Sequence, residues 1–285
     1  MSRPSVTSVS VKKINGAQAH HTDDLLAAEE PLEIRIGFGA RHEREQKTIS
    51  VTMRTPGNDF ALAAGFLFTE GIIRKATDIV SVAYCEGSNS SENNGNRVRV
   101  ELQEEVSVDI PLLERNFYTT SSCGICGKTS IDAIRTLCPP YPDDTLTISK
   151  NIIHSLPGKL LAHQTIFKHT GGLHSCAFFD PYGDLLLQTE DIGRHNALDK
   201  LIGTVLLSGK INLSEGILLL SGRASFELIQ KSAMAGIHIV AAIGAPSSLA
   251  VETASAFGIS LIGFLREERF NIYTGDKRIS DREQI

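Results

Sequence analysis

Between residues 217 and 265 the chain alternates short, strongly apolar runs with amphipathic stretches of about ten residues. The runs at 217–221, 237–243 and 259–265 are rich in Ile, Leu, Val and Ala and show no polar–apolar alternation. Strands of that kind are buried on both faces, as in a parallel sheet covered by helices. The intervening segments, 225–235 and 247–257, have helical spacing, so the region reads as consecutive βαβ units. Just upstream, 173–179 and 185–189 flank Asp-Pro-Tyr-Gly-Asp, a turn signal that makes them a hairpin. A helix is predicted over 196–207, with Leu198, Leu201, Ile202 and Val205 on one side. A hairpin joined to three parallel strands gives a mixed sheet of about five strands.

The first 115 residues have a different rhythm and read as a small α+β unit. Residues 1–28 are polar, with His20, His21, Asp23 and Asp24, and are expected as a loosely ordered lead or an edge strand. The segments 31–38 and 47–54 alternate with period two, which predicts antiparallel strands. A helix should start after Asn58 as N-cap, present Phe60, Ala63, Ala64, Leu67 and Phe68 as its apolar face, and end before Gly71. The run Glu-Gly-Ser-Asn-Ser-Ser-Glu-Asn-Asn-Gly-Asn at 86–96 is a solvated loop, and alternation resumes at 97–101. The expected division is a subdomain over 1–115 and a larger α/β domain over 116–285.

Composition removes several classes of function. A net charge of -5, no Trp and only 6% aromatics leave neither a basic field nor a stacking platform for nucleic acid. No apolar run approaches the ~20 residues of a membrane span, and the first residues lack the apolar core of a secretion signal. The expected compartment is the cytoplasm. Five cysteines, Cys85, Cys123, Cys126, Cys138 and Cys176, are an odd number in a chain large enough to build its own core. A disulfide framework is therefore disfavoured, and paired thiols suggest metal binding or reactivity.

Three places can carry chemistry. In Ser-Ser-Cys-Gly-Ile-Cys-Gly at 121–127, Cys123 and Cys126 are each followed by glycine and precede a candidate helix capped by Thr129. Glycine permits close approach, and a helix start lowers a nearby thiol's pKa. A buried structural pair, half of a zinc site and a reactive thiol for redox or sulfur-transfer work all fit, although no second CxxC completes a zinc site. Glu-Asp-Ile-Gly-Arg-His at 190–195 holds acids that either orient His195 for proton transfer or simply cap a helix.

The third place is the set of loops beyond the carboxyl ends of the predicted parallel strands: 221–225, 244–248 and 264–269. Two of them open helices whose free N–H groups favour an anion, and Arg223, Arg266 and Arg269 add charge at the same rim. Ordinary turn chemistry explains any one of these loops, but three at one edge suit a phosphate or nucleotide ligand. No GxxxxGK[ST] or GxGxxG run occurs, so neither ATP hydrolysis nor dinucleotide redox chemistry is indicated.

Taken in order, these pieces resemble the formate dehydrogenase accessory sulfurtransferase family (FdhD). The likeness rests on Cys-Gly-Ile-Cys-Gly at 123–127, Glu-Asp-Ile-Gly-Arg-His-Asn-Ala-Leu-Asp-Lys at 190–200 and Ser-Gly-Arg-Ala-Ser at 221–225. Lys-Ser-Ala-Met-Ala-Gly at 231–236, Leu-Ile-Gly-Phe at 261–264 and Gly-Phe-Leu-Phe-Thr-Glu-Gly at 65–71 extend it. The resemblance implies a cytidine deaminase-like fold: a three-layer mixed-sheet α/β domain with a smaller N-terminal α+β subdomain. It implies a sulfurtransferase that takes sulfane sulfur from a cysteine desulfurase onto Cys123 as a persulfide, with Cys126 assisting. The sulfur would pass to the molybdenum bis(molybdopterin guanine dinucleotide) cofactor of formate dehydrogenase, bound as cargo, with no permanent metal.

By the same resemblance Phe264, Leu265, Arg266, Glu267, Glu268 and Arg269 contact that cofactor, and the rim adds Arg223 and Ser225. Many family members carry a more basic, glycine-containing loop at 264–269, so the Glu267–Glu268 pair departs from the pattern. A homodimer is the expected assembly. A non-catalytic chaperone that presents the cofactor to formate dehydrogenase is the alternative. Deamination does not fit: no Pro precedes Cys123, and none of the nine histidines has Glu two residues on.

Overall fold

The structure, a computed structural model, describes residues 3–85, 95–109 and 146–281. The CxxC run, its following helix, most of the 86–96 loop and the 115/116 boundary lie outside the described residues.

The chain opens with β1 (Val6–Asn15) and β2 (Gln18–Ala27), an antiparallel hairpin paired without interruption from Val6↔Ala27 to Asn15↔Gln18. The loosely ordered lead is therefore corrected to a regular two-stranded arm. Its two-residue turn is Gly16-Ala17, with Gly16 at φ 60, a left-handed backbone that glycine adopts without strain at the first central position of a tight hairpin turn. A four-stranded sheet follows, built from β3 (Glu30–Phe38), β4 (Glu45–Arg54), β5 (Ile79–Tyr84) and β6 (Arg97–Leu102) in the order β4-β3-β6-β5. Its buried face, Leu32, Ile34, Ile36, Ile49, Val98 and Val100, packs on Leu62, Ala63 and Leu67 of α1 (Asp59–Thr69).

Asn58 does precede α1, but its backbone is left-handed and its side chain does not cap. Phe60, expected in the core, is exposed and stacks against Tyr84. Asp59 is buried instead, gripped by both nitrogens of the Arg54 fork at 2.9 and 2.8 Å.

The two-residue β7 (Ile148–Ser149) pairs parallel with β14 (Ile279–Ser280), and the second large sheet has six strands in the order β13-β12-β11-β10-β8-β9. These are β8 (His174–Phe179), β9 (Leu185–Asp191), β10 (Ile217–Leu220), β11 (Ile239–Ala242), β12 (Ser260–Gly263) and β13 (Asn271–Thr274). β10, β11 and β12 are parallel; β8 and β9 form the expected hairpin. The sixth strand, β13, runs antiparallel to β12 and corrects the expected five; it is only four residues long and mostly exposed, so no apolar pattern marks it.

Successive residues of the central strands enter opposite cores. Cys176, Phe178, Leu218, Leu220, Val240 and Leu261 face α4 (Arg194–Ser208), α5 (Phe226–Met234) and α6 (Ser248–Phe257). Ala177, Phe179, Ile217, Leu219, Ile239 and Ile262 face α2 (Lys150–His163), which is followed by the short α3 (Thr165–Thr170). The result is a three-layer mixed α/β unit. Among the described residues no helix is long and apolar enough to cross a membrane.

The two units meet helix to helix. A methyl placed on Gly65 of α1 would run into the Asp199 carbonyl of α4, and one on Gly203 into the Ala61 carbonyl of α1. The backbones touch because neither position has a side chain. Beside the crossing, the Lys231 ammonium of α5 reaches Asp199 at 2.9 Å and Thr69 at 2.8 Å, with Glu70 at 3.4 Å. Burial alone would lower the lysine's pKa, but the carboxylates of Asp199 and Glu70 outweigh it and raise it. Gly65→Ala and Gly203→Ala should each cost about 1–3 kcal/mol or more, because the helices must part and loosen this pair. Urea unfolding checks this, and a wild-type midpoint for both variants would show that the close approach is dispensable.

Candidate functional site

Parallel strands deliver their carboxyl ends to one edge, and the loops 221–225, 244–248 and 264–269 all emerge there from β10, β11 and β12. They are stitched into one rim by their backbones. Gly244 N–H donates to the Gly222 carbonyl at 2.9 Å, Ser247 N–H to Ala224 at 3.0 Å and Phe264 N–H to Gly244 at 3.0 Å. A Cβ on Gly244 would stand 2.8 Å from the Gly222 carbonyl, so this closeness needs glycine. α5 and α6 start from the rim. Ser247 caps α6 by accepting from Ala250 N–H at 3.2 Å, whereas Ser225 does not cap α5 and lies 3.4 Å from His195 Nε2.

The same edge receives the end of β9 and the start of β8, since His174 pairs with Asp191 and Cys176 with Leu220. Here the acids of the 190–195 segment serve purposes other than orienting His195. Glu190 accepts from the Ile166 and Phe167 N–H groups at 3.2 and 3.0 Å at the start of α3. Asp191 is fully buried and pairs with Lys200 at 2.7 Å, while accepting from the N–H groups of Thr55 and Gly193. Lys200 in turn donates to the Thr55 carbonyl at 2.8 Å, and Asn196 donates to Met53 at 2.7 Å, so the end of β4 is bound to this corner.

The partner of His195 comes from elsewhere: Glu227, in the first turn of α5, sits 2.8 Å from its Nε2. That hydrogen bond holds the Glu227 carboxyl below its ordinary range. No local spacing links residues 195 and 227; only the fold brings them together. His174 is pushed below the ordinary imidazole range, first by burial and then by the positive charges of Arg194, His195 and Arg223. Among the described residues no three His, Cys, Asp or Glu side chains converge as metal ligands.

Residues 27–280 match the model of the FdhD/NarQ family. The chain belongs to that family. It is 49% identical to the sulfur carrier protein FdhD of Streptomyces avermitilis over 263 residues, covering 91% of this chain and 90% of that protein. It is 43% identical to the sulfur carrier protein FdhD of the archaeon Picrophilus torridus, covering 93% and 96% of the two. The crystal structure of a formate dehydrogenase accessory protein from Desulfotalea psychrophila superposes with a TM-score of 0.73 at 25% identity, covering 97% of this chain and all of that one.

Within this FdhD/NarQ chain the six residues expected at the cofactor loop divide into two roles. Phe264, with left-handed backbone at φ 53, exposes its ring, and Glu267, Glu268 and Arg269 are also exposed. Leu265 is buried among Ile153 and Leu156 of α2. The Arg266 guanidinium turns back onto the Ile243 and Leu265 carbonyls at 2.7 Å each, which makes it a strut of the loop. Arg223 is exposed on the rim beside Ser225. Cys123 and Cys126 lie outside the described residues, while Cys85 is half-buried. Cys176 is buried in β8, and burial, then the charges of Asp199 and Asp191, pushes its thiol up.

Lys200→Met should cost about 3–5 kcal/mol, because it leaves the Asp191 carboxylate buried without its counter-ion. Chemical denaturation checks the loss. A cost under about 1 kcal/mol would mean that the pair does not hold the corner.

Proposed function

We propose that this chain is a sulfur carrier in formate dehydrogenase maturation, acting as a sulfurtransferase through a persulfide on Cys123. The Cys123 thiolate attacks the outer sulfur of a cysteine desulfurase persulfide; a new S–S bond forms on Cys123, the donor's breaks, and the desulfurase leaves as thiolate. Cys126 is the assisting thiol. The sulfur would then go to the molybdenum bis(molybdopterin guanine dinucleotide) cofactor, bound as cargo on the rim before it enters formate dehydrogenase. Attack of the Cys126 thiolate on the inner sulfur of the Cys123 persulfide would break its S–S bond, close a Cys123–Cys126 disulfide and release the outer sulfur at the sulfide level. Family membership and the relatives' names support the sulfur role. The observation that carries the cargo part is the rim itself: three hydrogen-bonded strand-end loops, two helix starts and several arginines at one sheet edge. Such an edge suits a nucleotide.

Cytoplasmic action fits this pathway. A homodimer belongs to the same reading, and the β1–β2 arm offers exposed Ile14, Leu25 and Leu26 for it.

Intact mass after incubation with cysteine and a cysteine desulfurase should show an adduct of about 32 Da on wild type and none on Cys123→Ala. Equal labelling at Cys85 would move the role to another thiol. A chaperone that only presents the cofactor would keep its maturation activity in Cys123→Ala, and a sulfurtransferase would lose it.

For the cargo, GDP is the accessible fragment. Glu267 or Glu268 would accept from the guanine N–H groups, so GDP should bind more tightly than ADP in titration calorimetry. Equal affinities would remove the guanine assignment.

A further inference from the structure

We propose that two copies of this chain join through β2, which pairs antiparallel with the β2 of the second copy about a twofold axis at Thr22, so that the two arms make one four-stranded sheet. This rests on the homodimer reading above and deepens it by naming the strand and its register.

The arm is built like half of a larger sheet. Its strands are ten residues long, yet among the described residues no other strand pairs with either edge. It is anchored at its base, where the Ala28 N–H donates to the Ser5 carbonyl at 2.9 Å and a Cβ on Gly172, just past α3, would stand 3.8 Å from that of Ala27. Beyond that base most of both strands is exposed, including Val9, Ile14, Leu25 and Leu26. A lone two-stranded hairpin is marginal in water, and an open edge of this length is a template for a further strand.

Charge along β2 selects the edge and the partner. Residues 20–24 read His-His-Thr-Asp-Asp, so donors lie on one side of Thr22 and acids on the other. Such a strand is its own complement when reversed: a twofold at Thr22 sets His20 against Asp24 and His21 against Asp23 of the second copy, and each contact is made twice. An imidazole donates to a carboxylate whether neutral or protonated, and protonation adds charge pairing. Within each hairpin Lys13 lies 3.6 Å from Asp24, which leaves that carboxylate able to accept from a second donor.

The backbone agrees with this register. The two-residue turn makes its flanking pair, Asn15 and Gln18, hydrogen-bonded, and bonded pairs recur at every second residue. Gln18, His20, Thr22 and Asp24 therefore bond to β1, while the backbone groups of Ala19, His21, Asp23 and Leu25 point to the open edge. With the axis at Thr22, His21 meets Asp23 and Ala19 meets Leu25, so outward groups face outward groups throughout. Moving the axis by one residue sets His21 against His21 or Asp23 against Asp23. The β1 edge offers no such match, because its charged residues are Lys12 and Lys13, with no acid. Pairing β1 with the second copy's β2 would leave an open edge at each end and build a chain of copies rather than a closed pair.

The test is light scattering after size-exclusion chromatography of the full chain, on variants that thermal melts show to be folded. Wild type should have twice the 30.9 kDa chain mass. The double variants His20→Asp with His21→Asp, and Asp23→Lys with Asp24→Lys, should each raise the dimer dissociation constant by about tenfold or more. An equimolar mixture of the two should recover the doubled mass, because an acidic β2 then faces a basic one at every charged position. Thr22 would meet its own copy as a non-hydrogen-bonded pair, the closest kind, so Thr22→Cys should form an intermolecular disulfide under mild oxidation. Ser8→Cys, on β1, should crosslink no more than wild type, and the native thiols are common to all three. The inference is overturned if either double variant stays as dimeric as wild type, if the mixture does not recover the doubled mass, or if Thr22→Cys crosslinks no better than Ser8→Cys. Masses above the doubled value, the sign of open chains, also overturn it. A dimer that survives every one of these changes uses another face and keeps the homodimer reading, whereas a monomeric wild type removes both.

Discussion

Everything at the rim depends on two helices that touch backbone to backbone. The Gly65–Gly203 crossing seats α4 on α1, and α4 carries at its start Arg194 and His195, then Asp199 and Lys200 within the next two turns. A shift of α4 along or away from α1 would move Asp199 and Lys200, one member of each of two buried ion pairs, together with Arg194 and His195 at the rim. The first sheet and its helix thus act as the foundation on which the second sheet's edge is set. This explains why the smaller unit is bound so tightly to the larger one, through Thr55, Met53 and Thr69.

Charge is handled in pairs throughout that junction. Arg54 with Asp59, Lys200 with Asp191 and Lys231 with Asp199 are all buried, and each also satisfies backbone or hydroxyl groups. Isolated burial of any one of these ions would be prohibitive, so each partner makes the other's position possible. Such pairs add modestly to net stability compared with apolar packing, yet they tolerate only one geometry. At the solvent side of the same corner, neither Arg194 nor Arg223 has a carboxylate within ion-pair distance among the described residues.

The α/β core was legible in the sequence because its strands are covered on both faces and its helices are not. The runs at 217–221, 237–243 and 259–265 became β10, β11 and β12 with helix bounds shifted by a residue or so. β13 escaped because four mostly exposed residues on a sheet edge need no apolar pattern. The β1–β2 arm escaped because polar strands in a solvated hairpin look like a lead. At the site, the three loops could be placed together from strand direction alone. The His195–Glu227 contact could not, since it joins the start of α4 to the start of α5 across the rim and leaves no spacing in the chain. The acids next to His195 were misleading neighbours: chain proximity put them beside the ring, but backbone donors of α3 and the Lys200 ammonium claim them.

A protein that ferries an activated atom has to keep it from wandering. Cys176 sits directly beneath the rim, where its partner in the adjacent strand is Leu220, yet it is closed to solvent and its thiol is held in the protonated form. Were a persulfide brought to this edge, as proposed, Cys176 would not compete with it from the floor, because a neutral buried thiol does not attack. On this side the sheet thereby serves as insulation as well as scaffold.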